Sequence, residues 1–87
     1  MNYRIIYTKK AIRDAKVVKK SPFYQKTKDI LNILRENPFQ TPPEYEKLTG
    51  KYNMAYSRRI NVKHRLIYEV LESEKIVKII RMWKHYE

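Results

Sequence analysis

The sequence predicts a two-layer α+β domain in which two N-terminal helices cover one face of an antiparallel sheet, in the order β-α-α-β-β-β-β. Helical periodicity is confined to residues 9–37, whereas the chain after the proline-rich segment 38–44 has the composition of strands. Those strands are separated by short turns, which only antiparallel neighbours allow. A chain of 87 residues is expected to form one domain, residues 1–87.

The first predicted elements are a strand and a basic helix. Residues 2–7 are rich in β-branched and aromatic types, which favours a short strand. Thr8 offers a side-chain oxygen as the N-cap of a helix over 9–20. One face of this helix is apolar, with residues at i, i+4 and i+7: Ala11, Ala15 and Val18. Lysines cover the rest.

The second helix has the clearest periodicity in the chain. Ser21-Pro22 is typical of a helix start, with serine as N-cap and proline at the first helical position. Asn37-Pro38 ends the helix, because the residue before a proline is disfavoured in the α region. The apolar residues recur along one face: Phe23, Thr27, Ile30, Leu31 and Leu34.

The C-terminal half is predicted to be sheet, preceded by a stiff connector with three of the four prolines. The expected strands are 45–48, 54–60, 64–71 and 75–83, and residues 84–87 form a tail. The turn at 49–53 is built around Gly50, the only glycine. The face of the sheet away from the helices is left to water or a ligand.

Charge and composition limit the function. The chain has 20 Lys and Arg against 9 Asp and Glu, a net charge of +11 that favours a polyanionic partner such as nucleic acid. The absence of cysteine excludes disulfide scaffolds and thiol catalysis, and a single glycine excludes glycine-rich phosphate loops. Apolar runs are short and no secretory signal is visible, so we expect no membrane span and a cytoplasmic location.

A basic hairpin is the first candidate for chemistry. Alternation places Ser57 and Arg59 on one face of their strand and Arg58 on the other. With Arg65 on the next strand, these arginines are suited to clamp a phosphodiester, since guanidinium groups bind phosphate oxygens in bidentate geometry. The alternative is that each arginine is a solvated charge on an edge or is paired with Glu69 or Glu72.

The tail supplies the second candidate, a histidine followed by a tyrosine. His85 titrates near neutral pH when unperturbed and can therefore protonate a leaving oxygen, and Tyr86 can stack on a base. Glu44 and Glu46 are the acidic candidates for a general base. The two histidines and the scattered carboxylates lack the spacing of metal ligands, so neither a metal nor another cofactor is expected.

Four blocks carry a family resemblance: 43–48, Tyr-Ser-Arg-Arg-Ile at 56–60, His-Arg-Leu-Ile-Tyr at 64–68 and His-Tyr at 85–86. In this order and spacing they resemble the YoeB/Txe toxins of type II toxin–antitoxin systems, in the RelE/ParE superfamily. The resemblance covers the whole chain. It implies a RelE-like fold and a ribosome-dependent endoribonuclease that cuts mRNA and inhibits translation without a metal.

The resemblance also implies roles for individual residues. The general base falls on Glu46, with Glu44 as the alternative, and the general acid falls on His85, followed by the aromatic Tyr86. The catalytic phosphate-binding arginine falls on Arg65. The supporting phosphate-binding group comprises Arg59, Arg58 and Lys47. The products implied are a 2′,3′-cyclic phosphate or 3′-phosphate and a 5′-OH.

The partners implied are the ribosome with its mRNA and a cognate antitoxin, YefM/Phd-like, with an acidic C-terminal segment. Operator DNA would be bound through the antitoxin, and a homodimer or heterotrimer is compatible with the family. Lys16, Lys19 and Lys20 are candidates for ribosome docking, because a basic helix face binds RNA backbone without reading sequence. The alternatives are a non-catalytic basic RNA- or ribosome-binding module and a purely structural partner of an acidic chain.

Overall fold

The computed structural model describes residues 2–85. Its helices and strands follow the predicted order and confirm the α+β class: β1 (Arg4–Tyr7), α1 (Lys9–Lys19), α2 (Tyr24–Glu36), β2 (Tyr45–Lys47), β3 (Tyr56–Arg59), β4 (His64–Leu71) and β5 (Ile76–His85). Short 3₁₀ turns lie at Gly50–Tyr52 and Glu72–Glu74. Within the described residues no helix is long and apolar enough to cross a membrane.

The five strands form one sheet in the order β1-β5-β4-β3-β2. The strands from β2 to β5 pair antiparallel, as predicted, but β1 pairs with β5 in parallel, so the expectation of a wholly antiparallel sheet is corrected to a mixed one. The two helices follow β1 and separate it from the hairpins. Because no tight turn joins β1 to its neighbour, nothing forces antiparallel pairing there.

Both helices pack on the same face of the sheet and share one hydrophobic core. The helical members lie at the predicted positions: Ala11, Val18, Ile30, Leu31 and Leu34. The sheet contributes alternate residues of β4 and buried residues of its neighbours: Leu66, Tyr68, Ile60, Val77, Ile79 and Met82. Alternation sends the other residues of β4, Arg65 and Ile67, to the opposite face.

The helix starts differ in how well local sequence predicts them. Thr8 caps α1 as predicted, since its Oγ1 accepts the Ala11 N–H at 3.1 Å. By contrast, α2 begins at Tyr24 and not at Pro22. Ser21 Oγ accepts the Phe23 N–H and donates to the Val18 carbonyl. The serine therefore closes the end of α1 and does not cap α2.

The last strand continues to His85, so the predicted tail at 84–87 is wrong for Lys84 and His85. Two irregularities in β5 explain the extra length. Tyr68 pairs with Ile79, whereas its neighbour Ile67 pairs with Arg81, which is the first shift in register. After a second shift, His64 pairs with His85. Had the first register continued, His64 would face Trp83. Two extra residues thus carry His85 to the end of the sheet where Arg65 lies.

Contacts from the middle of α1 and from its N-cap hold this irregular part of β5. Asp14 accepts two N–H groups of Arg81, at 2.7 and 3.1 Å, and the backbone N–H of Met82 at 3.0 Å. Thr8 Oγ1 donates to the Ile80 carbonyl at 2.8 Å. Side chains therefore satisfy backbone groups that a regular ladder would have paired.

We expect Asp14→Asn to destabilise the protein by about 2 kcal/mol, between the values typical of exposed and buried ion pairs. Burial opposes ionisation of Asp14, but hydrogen bonds from Arg81 and Met82 outweigh it, and the pKa of Asp14 is lowered. The stabilisation is therefore present above the unfolded pKa of about 3.9 and is lost as pH falls through the folded pKa. Urea unfolding of both proteins across pH should show their difference shrinking in acid.

The matched control is Asp29→Asn, because Asp29 is an exposed aspartate on α2. This variant should change the free energy of unfolding by less than about 0.5 kcal/mol. Equal effects of the two substitutions, or a difference that does not depend on pH, would show that Asp14 does not hold β5 through its charge.

Candidate functional site

The centre of the candidate site is an ion pair between neighbouring strands. Arg65 on β4 donates from Nη1 to Glu46 Oε1 on β2 at 2.5 Å. The same Nη1 lies 3.2 Å from Ser57 Oγ on β3, the strand between them. The Arg65 side chain is 8% exposed and that of Glu46 is 63% exposed, so the guanidinium is fixed while the carboxylate remains open to solvent.

A cavity of about 210 Å³ brings this pair together with His85. The three residues predicted as base, phosphate ligand and acid thus line one space, although they come from β2, β4 and β5. The remaining lining residues are two apolar side chains, two hydroxyl-bearing ones and a lysine: Leu48, Ile67, Tyr52, Ser57 and Lys84. A carboxylate, cations and an imidazole around one space can move protons and bind an anion.

A second cavity of about 580 Å³ adjoins the first and shares Glu46, Ser57 and Arg65 with it. Arg59 and Glu44 line only this larger cavity. It extends to α2 and Pro43, and its other lining residues are Lys26, Asp29, Ile30 and Ile33. The structure therefore places Arg59 beside the Glu46–Arg65 pair, on the side away from His85.

Aromatic contacts pack the end of β5 against β4. The His64 ring is stacked on Trp83 with ring centroids 3.8 Å apart and an interplanar angle of 9°, and it meets His85 edge-on at 5.6 Å. Burial lowers the pKa of His64, and the neighbouring His85 and Lys63 lower it further. The neutral form of His64 is therefore favoured, and it adds no positive charge beside His85.

Arg58 is not available to substrate, which corrects its prediction as a phosphate ligand. Its side chain is buried, and it donates to the carbonyls of Pro38, Gln40 and Pro43 at 3.0, 2.9 and 2.5 Å. It also donates to the Tyr68 hydroxyl at 3.2 Å. Burial raises the pKa of Tyr68 to about 12, even though Arg58 opposes the shift. In this structure the Arg58 guanidinium therefore binds the connector before β2.

The lysines predicted as functional residues lie outside the two cavities. Lys47 faces the opposite side of β2 from Glu46, with its Nζ 3.2 Å from the Asn53 carbonyl and 5.3 Å from the Tyr56 ring centroid. Lys16, Lys19 and Lys20 are exposed on α1 and its C-cap. Tyr86 lies outside the described residues.

Sequence reasoning missed Tyr52, which lines the smaller cavity from the turn between β2 and β3. A tyrosine two residues after Gly50, in a predicted turn, gives no indication from sequence that it lies in a site. Only the folded chain brings it to the cavity with Arg65. Among residues 2–85, no group of three or more histidine, cysteine, aspartate or glutamate side chains is placed to hold a metal ion.

Comparison with family models gives one match over nearly the whole chain. Residues 3–86 match the model of the YoeB-like toxin of bacterial type II toxin–antitoxin systems. The blocks around Glu46, Arg59, Arg65 and His85 all lie within this range. No curated protein sequence matches the chain.

Solved structures of such toxins share the fold. A YoeB/ParE toxin from Agrobacterium tumefaciens has 25% identity and a TM-score of 0.85, covering 95% of this chain and 99% of its own. A YoeB dimer from Staphylococcus aureus has 28% identity and a TM-score of 0.82, with coverage of 99% and 100%. The heterotetrameric YoeB–YefM complex from the same species gives 28% identity, a TM-score of 0.80 and the same coverage.

We expect Arg58→Met to destabilise the protein by about 3 kcal/mol, because it removes the donor to the buried Pro38 carbonyl and to two partly buried carbonyls of the connector. The measurement is the free energy of unfolding in urea. Arg59→Met is the matched control, since the adjacent arginine is exposed and should change stability by less than about 0.5 kcal/mol. A well-folded Arg58→Met protein of unchanged stability would contradict the assigned role.

Proposed function

Because the chain belongs to the family of YoeB-like toxins of bacterial type II toxin–antitoxin systems, we propose that it is a ribosome-dependent endoribonuclease that cuts mRNA and inhibits translation. The observation that carries the proposal is the single cavity lined by Glu46, Arg65 and His85. Cleavage of RNA by its own 2′-OH needs a base, a cation for the phosphorane charge and an acid. These three side chains supply one group for each need.

In the proposed reaction the Glu46 carboxylate removes the 2′-OH proton, and the 2′-oxygen attacks the adjacent phosphorus. The guanidinium of Arg65 neutralises the charge that develops on the phosphate oxygens, with Arg59 supporting it from the larger cavity. The His85 imidazolium gives its proton to the departing 5′-oxygen. The products are a 2′,3′-cyclic phosphate, which water can open to a 3′-phosphate, and a 5′-OH.

The two side chains of the Glu46–Arg65 pair differ in solvent exposure, and this difference supports the mechanism. Arg65 is held in place on β4, while the carboxylate that it contacts is mostly exposed. An incoming phosphate can therefore take over the guanidinium as its partner, and the carboxylate is then left beside the 2′-OH. Ser57, next to Arg65 Nη1, keeps the guanidinium in position as its partner changes.

The ribosome would hold the message, so the protein need not build a long RNA groove of its own. The net charge of +11 and the exposed lysines on α1 support this role, since they favour contact with ribosomal RNA backbone. The reaction would take place in the cytoplasm, where translation occurs.

The regulator of this activity would be an antitoxin of the YefM type. The Staphylococcus aureus relative is in a complex with YefM in one solved structure and is a dimer in another. An acidic antitoxin segment would fold onto the basic surface and cover the cavities. The pair would bind operator DNA through the antitoxin.

We expect Glu46→Gln and His85→Gln each to slow cleavage by about 10²- to 10⁴-fold, because each removes one proton-transfer group. The measurement is primer extension on a message in a cell-free translation reaction. Thermal unfolding should show that both variants remain folded. Discrete new 5′ ends from the wild-type protein separate an enzyme from a basic module that only occupies RNA or the ribosome. Blocked translation without new ends would favour that alternative.

The matched control for the base is Glu44→Gln. Glu44 lines the larger cavity but not the smaller one with His85, so this variant should keep most of the activity. Loss of cleavage in Glu44→Gln with full activity in Glu46→Gln would reverse the assignment.

Charge reversal of Lys16, Lys19 and Lys20 to glutamate should weaken ribosome binding and make it less sensitive to salt, because fewer counterions are released. Sedimentation with ribosomes over a range of salt concentrations measures this effect. The control is the triple change of the same lysines to glutamine, which removes the positive charges without reversing them and should give an intermediate affinity. Equal affinity of all three proteins would remove α1 from the docking surface.

A further inference from the structure

Tyr52 lines the smaller cavity, and the proposed reaction gives this residue no role. It ends the 3₁₀ turn Gly50–Tyr52, where Gly50 has a φ of 71°, and its side chain is half-buried. Through this turn the chain returns from β2 toward the cavity with Glu46, Arg65 and His85. The phenol thus faces the same space as the three candidate catalytic groups.

Tyr52 lies near Arg81, in the irregular part of β5 that precedes His85. A hydrogen bond with Asp14 raises the pKa of Arg81, burial opposes it, and the nearby Tyr52 phenol adds to the rise. Arg81 is itself held by two N–H contacts to Asp14. Because a guanidinium has donors only, the phenol can present only its oxygen to Arg81. Tyr52 therefore lies near Arg81 in the folded protein.

The composition of the cavity around Tyr52 suits a nucleobase. Leu48 and Ile67 give it apolar walls, and Arg65 and Lys84 supply cations for the phosphates on either side of a base. Its volume of about 210 Å³ holds one base and not an extended strand. An aromatic ring in such a space stacks on any base, because every base has a π-face.

We propose that Tyr52 stacks on the nucleobase next to the scissile phosphate and so sets that phosphate against Arg65. This inference rests on the proposed function, since it assumes that RNA is the substrate. Tyr52 would contact substrate without transferring a proton. Replacement of Tyr52 by alanine should therefore weaken binding and alignment of the message. Replacement by phenylalanine, which keeps the aromatic ring, should preserve both.

The test compares Tyr52→Ala, Tyr52→Phe and a control, Tyr24→Ala, which removes an exposed tyrosine of α2 outside both cavities. Cleavage rates are measured on ribosomes carrying a defined message, at several toxin concentrations. Tyr52→Ala should lower the rate at subsaturating toxin by about 5- to 150-fold, the value of one stacked base. Tyr52→Phe should stay within about twofold of wild type, and Tyr24→Ala should be unchanged.

A second measurement separates this inference from the proposed function. Fluorescence anisotropy gives the affinity of each protein for a short RNA that carries 2′-deoxyribose at the cut position and cannot be cleaved. Weaker binding by Tyr52→Ala, restored in Tyr52→Phe, would support stacking even if the wild-type protein cuts no message. Wild-type behaviour of Tyr52→Ala in both assays would overturn the inference, as would equal losses in Tyr52→Ala and Tyr52→Phe.

Discussion

Arg58 carries a positive charge inside the protein, and three backbone carbonyls and one hydroxyl surround it. The carbonyls belong to the connector between α2 and β2, a segment with too few apolar residues to pack by itself. By binding Pro38 and Pro43, the guanidinium fixes where β2 begins and therefore where Glu46 meets Arg65. A buried charge costs free energy unless its donors are satisfied. Here that requirement ties the connector to the sheet.

Two of the strands that carry site residues, β2 and β5, are each held by contacts outside the site. The Arg58 contacts secure β2 with Glu46, and the Asp14–Arg81 pair secures the irregular part of β5 that precedes His85. Between them, β4 presents Arg65 from the centre of the sheet. The charged groups that line the cavities thus depend on other charged groups that do not. Because contacts outside the site hold β2 and β5 in place, a domain of only 87 residues can present exposed charged groups in a cavity.

The positive charge has more than one use in this molecule. Arg58 and Arg81 are committed to internal contacts, Arg65 and Arg59 line the cavities, and the lysines of α1 remain in solvent. In the proposed function the exposed lysines contribute long-range attraction to ribosomal RNA, which is screened by salt over about 10 Å. The arginines at the cavities act at contact distance, where a planar guanidinium matches a phosphate. An acidic antitoxin would compete with both.

Local patterns in the sequence are enough to predict the α+β class, the element order and the residue types that line the cavities, because periodicity and turn residues act over a few positions. Alternation already separated Arg58 from Arg59, but which of the two was buried depended on the distant connector. Tertiary structure alone decided the register of β5 at His85, the parallel pairing of β1 and the arrival of Tyr52 in the cavity. Each of these depends on contacts between residues far apart in the chain, and no local pattern encodes such contacts.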